Sequence, residues 1–314
     1  MQKYKFVINP VPLKRSHKLF LEKLKKELLA KKINFSYEYT TIKRDAKVIS
    51  SNAASKGYDV VVACGGDGTV MGVINGIYGT KAKLGVLPLG TSNDFAKELN
   101  LLDLDKASHS LLNGKKKHID LGLAEFRLSN KPGKMLFCST SGIGFDARLL
   151  RLNKFEWFIG IKKIFGNIVY PLFSFFLLFH YKSSEVEIKF NGKKVKSNLF
   201  MMNANFVKSM SGIKVTPNAG IDKGVFDIII FEDTSIFKKM FGFLWYSITS
   251  KKLDFEEVHY ISRNGLGDNR HRLKNIKSFS IKSKKPVDVQ LNGDFVGHTP
   301  ARFRIIPKAV ELMV

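Results

Sequence analysis

Residues 59–69 read Asp59-Val60-Val61-Val62-Ala63-Cys64-Gly65-Gly66-Asp67-Gly68-Thr69. The continuous apolar run predicts a strand over 59–64, of the kind buried on both faces of a parallel sheet. The glycines that follow allow positive φ and bring the backbone close to a ligand. A helix expected from Val70 to about Tyr78 would then turn N–H groups and the positive end of its dipole toward a phosphate. Neither the dinucleotide pattern G-x-G-x-x-G nor the Walker pattern G-x-x-x-x-G-K-[S/T] occurs here, so those two mechanisms are not indicated. Asp67 is an acid inside a phosphate-type loop. It would repel phosphate unless a cation intervenes, which implies Mg2+, or else it caps the helix that it opens.

On either side of this stretch the hydrophobic period alternates. Upstream, Lys3–Asn9 reads as a strand, and Phe20, Leu21, Leu24 and Leu28 make an amphipathic helix within 14–32. Phe35–Thr41 alternates as a strand, and Asp45–Lys56 reads as a helix ended by Gly57. Downstream, Lys83–Leu89 is the next strand and Ser92–Leu99 the next helix. Such alternation argues for a doubly wound α/β domain over residues 1–120. A second loop, Leu87-Pro88-Leu89-Gly90-Thr91-Ser92-Asn93-Asp94-Phe95-Ala96, also leaves the carboxyl end of a strand, where open α/β sheets bind ligands. Alone, Ser92 or Asn93 is a helix cap. Beside the first loop, the two can converge on one triphosphate.

From Lys117 the character changes. Strand-like runs dominate at 118–126, 134–141, 185–190, 195–206, 224–232, 256–262, 276–283, 287–291 and 301–307, and Asn191-Gly192 and Asn292-Gly293 carry hairpin chemistry. Two helical stretches, Phe155–Tyr181 and Ser235–Lys251, interrupt them. The expected second domain, 121–300, is mainly antiparallel β, sandwich-like, and the chain is expected to return to the first domain over about 300–314.

The 314 residues carry a net charge of +25, yet residues 61–120, which hold both glycine loops, are nearly neutral. The charge is compatible with nucleic acid, an anionic membrane surface or phosphorylated ligands. At 44% hydrophobic and 12% aromatic residues, the chain is not a disordered polycation. Cys64 and Cys138 sit in apolar runs and read as buried thiols of a reducing compartment. The N-terminal residues show no secretory pattern, and the longest apolar run, Val169 to Phe179, is broken by Pro171 and is short of the roughly 20 residues of a spanning helix. A cytoplasmic chain is expected. Seven histidines show no zinc-ligand spacing.

The paired blocks GGDGT at 65–69 and LPLGTSNDFA at 87–96 resemble the catalytic domain of the diacylglycerol kinase and sphingosine kinase superfamily, in its soluble bacterial lipid-kinase form. Asn9-Pro10, Tyr39-Thr40-Thr41 before Asp45-Ala46, and Gly142-Ile143-Gly144-Phe145-Asp146-Ala147 extend the resemblance over nearly the whole chain. GGDGT alone is shared with NAD kinases, which have the same fold; GTSNDFA is specific to the lipid kinases. The resemblance implies an NAD kinase/diacylglycerol kinase-like nucleotide domain followed by a β-sandwich-like domain. It implies ATP against the backbone of Gly65, Gly66, Asp67, Gly68, Thr69, Val70 and Met71, with Asn9, Thr40 (or Thr41) and Thr91 nearby. Asp67, Asn93 and Asp94 would organise the phosphates and catalytic Mg2+. Leu291-Asn292-Gly293-Asp294 stands where the family has Asp-Gly-Glu, which makes Asp294 the base and Asp67 its catalytic partner. Where the family carries Asp-Gly and a structural Mg2+, this chain has Lys223-Gly224; Asp222 is the remaining candidate ligand.

The implied reaction is transfer of phosphate from ATP to a lipid hydroxyl, with diacylglycerol the preferred substrate and phosphatidate the product. The surplus charge then marks a surface that meets anionic membrane, making the enzyme peripheral, and a homodimer is compatible with the sequence. Trp157, Phe158, Phe165, Phe173, Phe175 and Phe176 either pack a helix between the domains or meet acyl chains, with Lys154, Lys162 and Lys163 on headgroups. Phe237–Tyr246 poses the same choice, and Arg263, Arg270, His271 and Arg272 form a basic cluster. The alternatives are an NAD kinase-like nucleotide kinase, a catalytically weak lipid-binding relative suggested by Asn292 and Lys223, and a nucleic-acid binder. The last rests on charge alone and is not favoured.

Overall fold

The computed structural model describes residues 2–41, 45–210, 213–214, 216–233 and 270–314. The expected helix at 235–251, the strand at 256–262, the segment 237–246 and Arg263 lie outside them. The chain divides into two compact units: residues up to Leu121 together with Ile306–Val314, and Gly122–Ile305.

The first unit is doubly wound. β1 (Lys3–Ile8), β2 (Asn34–Tyr39), β3 (Val60–Gly65) and β4 (Lys83–Pro88) alternate with α1 (Arg15–Ala30), α2 (Asp45–Ser55) and α3 (Asp67–Ile77), and α4 (Asp94–Glu98) follows β4. β1 pairs in parallel with both β2 and β3, and β3 with β4, giving the order β2-β1-β3-β4. Every residue of β3 is buried, as a central strand of this kind requires. The sequence reading passed over α5 (Leu104–Asn113), whose start is capped by Asp103 Oδ1 accepting from Lys106 N at 2.7 Å. The returning residues complete the sheet: Leu312 pairs in parallel with Leu84. Val314 and Lys115 exchange two backbone hydrogen bonds of 2.9 and 2.6 Å.

The second unit is built on antiparallel strands. They are β5 (Lys116–Leu128, here from Gly122), β6 (Lys131–Phe137), β7 (Ser141–Gly144), β8 (Ser184–Phe190), β9 (Lys193–Asn205), β10 (Ser209–Met210), β11 (Ile213–Lys214), β12 (Phe226–Glu232), β13 (Arg270–Ile276), β14 (Ser278–Ser283), β15 (Asp288–Leu291) and β16 (Asp294–Met313, here to Ile305). The pairing closes on itself through β9, β8, β14, β16, β15 and β7, with β7 returning to β9. Its core is aromatic. Phe137 lies 5.5 Å from Phe206, 5.9 Å from Phe226 and 6.1 Å from Phe303, ring centre to ring centre, and Phe279 stacks on Phe303 at 4.5 Å. All five rings are buried.

Among the described residues three helices interrupt the strands: α6 (Phe145–Arg151), α7 (Glu156–Phe165) and α8 (Val169–His180). The single helix expected over 155–181 is thus two, separated at Gly166, whose φ of +62° no helix accommodates.

Because Phe137 touches three other rings at once, no single neighbour can close the gap left by its removal. Phe137→Ala is expected to lower the unfolding free energy by about 3–5 kcal/mol, read from urea midpoints; a loss below 1 kcal/mol would show that the cluster repacks.

Candidate active site

In the first unit, β3 and β4 are aligned so that Cys64 faces Leu87 and Gly65 faces Pro88. Both loops therefore leave the sheet side by side at its carboxyl end. They touch: Leu89 N donates to Gly65 O at 3.1 Å, and a Cβ added to Gly90 would lie 2.3 Å from Gly66 Cα and 2.7 Å from Gly66 N. No side chain fits there. Asn93, held at φ +50°, braces the second loop; its Oδ1 accepts from Gly90 N at 3.1 Å, and its Nδ2 donates to Gly90 O and Pro88 O at 3.0 and 3.3 Å.

Asp67 does not cap the helix that it opens. Its Oδ2 accepts from Asp94 N at 3.1 Å and its Oδ1 from Phe95 N at 2.9 Å, so it caps the neighbouring helix, α4. The physical reason is direct. α4 begins with orphan amides that need acceptors, while the N-cap of α3 is the backbone of Gly66. Burial pushes the Asp67 carboxyl above its ordinary range, the Phe95 amide pulls it back, and the nearby Asp94 carboxylate adds to the rise. Asp94 is itself buried and pairs with Lys97 Nζ at 3.1 Å.

The remaining residues of this unit fall around the loops to different degrees. Asn9 ends β1, where its N donates to Cys64 O at 2.9 Å and its Nδ2 to Thr69 Oγ1 at 3.4 Å. Thr40 is buried just after β2, and its N donates to Ile8 O at 2.8 Å. Thr41 instead donates from both its N and its Oγ1 to Asp45 Oδ2. Thr69, Val70 and Met71 are buried in α3, so the side chains of Val70 and Met71 serve the core and only their backbone is suited to a ligand. Gly68 and Thr91 are exposed.

In the second unit, Asp294 opens β16 on the exposed side of the β15–β16 hairpin. Asn292 and Gly293, at φ +50° and +81°, form the two-residue turn. Asn292 Oδ1 accepts from Cys138 N, Ser139 N and Ser139 Oγ at 3.2, 3.1 and 2.8 Å, and Gly293 N donates to Gln290 Oε1 at 3.0 Å. The hairpin is anchored through buried Asp288, whose oxygens lie 3.2 Å from Arg148 Nη1, 3.2 Å from Arg151 Nη1 and 3.0 Å from His298 Nε2. Sequence reasoning did not single out these partners, which are far apart along the chain.

Divalent-cation chemistry fits one place and not the other. Asp67 and Asp94 supply two neighbouring carboxylates in the loop region, a hard-oxygen set of the kind Mg2+ takes beside phosphates. At the turn before β12, by contrast, Lys223 Nζ donates to Asn218 O at 2.7 Å, and Asn218 N donates to Asp227 Oδ2 at 3.0 Å. An ammonium on that carbonyl does not fit a structural metal, and Asp222 is exposed beside it. Among the described residues no three His, Cys, Asp or Glu side chains cluster as metal ligands.

Asp146, known from the sequence only as part of a signature, is a buried carboxyl. Its Oδ2 accepts from Asn203 Nδ2 at 2.9 Å and Gln290 Nε2 at 3.2 Å, and no donor among the described residues reaches its Oδ1. Burial raises it to about 6 against these hydrogen bonds.

The chain thus combines a doubly wound α/β unit with two touching glycine loops at its strand ends and a closed antiparallel β unit. Residues 3–124 match the diacylglycerol kinase catalytic domain, and residues 140–314 match the YegS C-terminal NAD kinase beta sandwich-like domain. The chain belongs to the diacylglycerol kinase family and is a lipid kinase. It is 26% identical over 310 residues to a diacylglycerol kinase of Bacillus subtilis (strain 168), across 96% of this chain and 93% of that protein. A diacylglycerol kinase of Staphylococcus aureus (strain bovine RF122 / ET3-1) is 27% identical over 306 residues, across 93% and 88%. The fold is shared with a crystal structure of a diacylglycerol kinase from Bacillus anthracis str. Sterne, at a TM-score of 0.69 and 19% identity, over 99% of this chain and 96% of that one. No helix among the described residues is long and apolar enough to cross a membrane.

The Asp146 carboxyl sets a pH dependence whose sign is fixed. Its folded value, about 6, lies above the ordinary 3.8, so its favourable contribution is present below pH 4 and is lost as pH rises through 6. The loss is about 3 kcal/mol at most. Asp146→Asn cannot ionise. The stability of wild type relative to this variant, from urea unfolding, is expected to fall by up to that amount between pH 4 and pH 7.5, and a flat difference would contradict it.

Proposed function

We propose that this lipid kinase transfers the γ-phosphate of ATP to the hydroxyl of diacylglycerol, yielding phosphatidate, and works at an anionic membrane surface. The observation that carries the nucleotide part is the contact of Gly66 with Gly90, with Asp67 bound to the first amides of α4. The first amides of α4 are taken by Asp67, so the helix start left for an anion is that of α3, whose N-cap is the backbone of Gly66 and carries no side-chain cap. The roles assigned to Asn9, Thr40, Gly65, Gly68, Thr69, Val70, Met71, Thr91 and Asn93 follow. Their backbone, with the side chains of Asn9, Thr40 and Thr91, receives ATP, while Asn93 keeps the second loop in shape.

Asp67 and Asp94 would hold Mg2+, which supplies charge neutralisation between phosphate oxygens. Asp294 takes the proton from the acceptor hydroxyl as that oxygen forms its bond to the γ-phosphorus and the bond to the β–γ bridging oxygen breaks, releasing ADP. Holding an acceptor, a base and a phosphate in line accounts for most of the rate in such a reaction, since there is little covalent work for the protein to do. A cytoplasmic enzyme with a net charge of +25 would be drawn to anionic lipid by a screened, long-range attraction.

Transfer of labelled γ-phosphate from ATP to a panel of hydroxylated lipids in mixed micelles tests this. Diacylglycerol should be labelled best, Mg2+ chelation should stop the reaction, and added salt should slow it. Asp294→Asn should cost about 10²–10⁴-fold in kcat with little change in stability. Labelling of NAD in place of lipid, or an Asp294→Asn enzyme as active as wild type, would sink the respective assignments. Gly90→Ala, which forces the loops apart, should raise the KM for ATP at least tenfold, while a normal KM would mean that the loops do not act together.

A further inference from the structure

Of the twenty large apolar side chains exposed among the described residues, ten lie between Phe155 and Phe179. Exposure of that density is a patch, not scatter. On α8, Leu172, Phe175, Phe176 and Phe179 follow i, i+3, i+4, i+7 spacing, and each is more than half exposed. The opposite side of that helix buries Ser174 and Leu178, and Val169 is buried at its start. At the junction with α7, Ile164, Phe165 and Ile168 stand out at 77%, 61% and 62% exposure.

The frame behind these side chains is rigid. Phe158 of α7 is fully buried and meets Phe173 of α8 edge-on at 5.1 Å, and Trp157 lies 5.7 Å from the same ring. Lys162 Nζ donates to Tyr170 OH at 2.7 Å, and Tyr170 OH donates to Asn153 Oδ1 at 2.9 Å. The apolar rings are thus presented without any ordering step, on a hairpin closed by its own contacts.

What covers this face follows from charge and length. Residues 164–180 contain no charged side chain, and they are flanked by Lys154, Lys162 and Lys163 on one side and Lys182 on the other, with Glu156 the one acid over 154–182. A second copy of the chain would bring the same lysines and another +25 to the interface. An anionic lipid surface offers the opposite sign, and lysine stems can lie along its apolar layer with their ammonium groups in the headgroup region. The twelve residues of α8 extend about 18 Å, against about 30 Å of hydrocarbon, so the element lies in the interface and does not span.

We infer that the α7–α8 hairpin is the membrane-docking element, which inserts the Ile164–Ile168 junction and the outer face of α8 into an anionic lipid interface. The inference rests on the reading of the chain as an enzyme that works at such a surface.

The test uses the full chain carrying Trp245→Phe, which leaves Trp157 as the one tryptophan. It is mixed with phosphatidylcholine vesicles containing about one-third phosphatidylglycerol, with and without bromine on the acyl chains. Trp157 emission should shift to the blue and be quenched by the brominated lipid. Sedimentation of the chain with vesicles should weaken as phosphatidylglycerol is removed or salt is added. Phe165→Ser combined with Phe176→Ser should cut vesicle binding by about a hundredfold, about tenfold per ring, with an unchanged Tm because both rings are exposed. Absence of Trp157 quenching, or a double variant that binds vesicles as wild type does, overturns the inference. A wild-type dimer that the double variant dissolves, with no vesicle binding by either, assigns the face to a second copy and equally overturns it. None of these readouts needs phosphoryl transfer. Their failure leaves the kinase reading standing, whereas a chain that binds vesicles through Trp157 yet labels no lipid removes the kinase reading and keeps the docking element.

Discussion

The backbones of Gly66 and Gly90 approach so closely that a methyl group on Gly90 would sit 2.3 Å from Gly66 Cα, and one carboxylate, Asp67, spans the contact to hold α4. Two loops from adjacent parallel strands become a single object. Without the glycines the strand ends could still align, but the helix N-termini would stand apart. Without the carboxylate, the opening amides of α4 would lose their acceptors at a depth where such loss costs about 1–3 kcal/mol per group. Burial works against ionised Asp67, and the two amides are what make an anion tolerable there. The acid inside a phosphate-type loop is thus a structural fastener first.

The second unit solves a different problem, that of presenting Asp294 beside a turn tied down by hydrogen bonds. Closed strand pairing and a five-ring aromatic core supply a stiff support, and Asn292 supplies the clasp. Its amide oxygen gathers two backbone N–H groups and a hydroxyl from the segment after β6. On the other side of the hairpin, Asp288 draws in Arg148, Arg151 and His298, a buried carboxylate ringed by donors. On the proposed reading Asp294 is the base, and a side chain held beside a two-residue turn has few torsions in which to wander, the quality positional catalysis needs.

Much of this was legible in the sequence, for identifiable reasons. The run Val60–Cys64 could only be a central strand, and the glycine loop after it appears where the period predicted. The double-glycine contact was implied by two such loops one strand apart. That Asp67 binds the amides of α4, and not those of the helix it opens, could not be read, because a carboxylate's partners here are backbone amides, which every residue but proline carries alike; nothing in the letters 27 residues downstream marks Asp94 and Phe95 as donors. The strand expected over 134–141 is broken for a similar reason, since the amides of Cys138 and Ser139 are taken by a side chain 153 and more residues away. The helix α5 did leave a signal that went unread, with Asp103 as cap and Leu104, Ala107 and Leu111 at helical spacing. Gly166 within 155–181 was likewise a visible break. Burial is the least legible property, because α8 is apolar all round and only packing decides which side meets solvent.

Two departures from the family pattern, Asn292 and Lys223, left a weakened relative open as an alternative when only the sequence was considered, and geometry changes their weight. At the turn, the side-chain oxygen of Asn292 is an acceptor from three donors and its neighbour has the positive φ that the hairpin demands. That task is equally within reach of an amide and a carboxylate, so the exchange leaves the clasp intact. At Lys223 the ammonium reaches Asn218 O at 2.7 Å, so the positive charge that a bound metal would bring to this carbonyl is carried by the chain itself. A tethered charge needs no ion from solution and loses none on chelation. Neither substitution therefore removes a reacting group. The one family difference that still bears on the proposed chemistry is the methylene missing from Asp294, which would change the reach of the proposed base and not its kind.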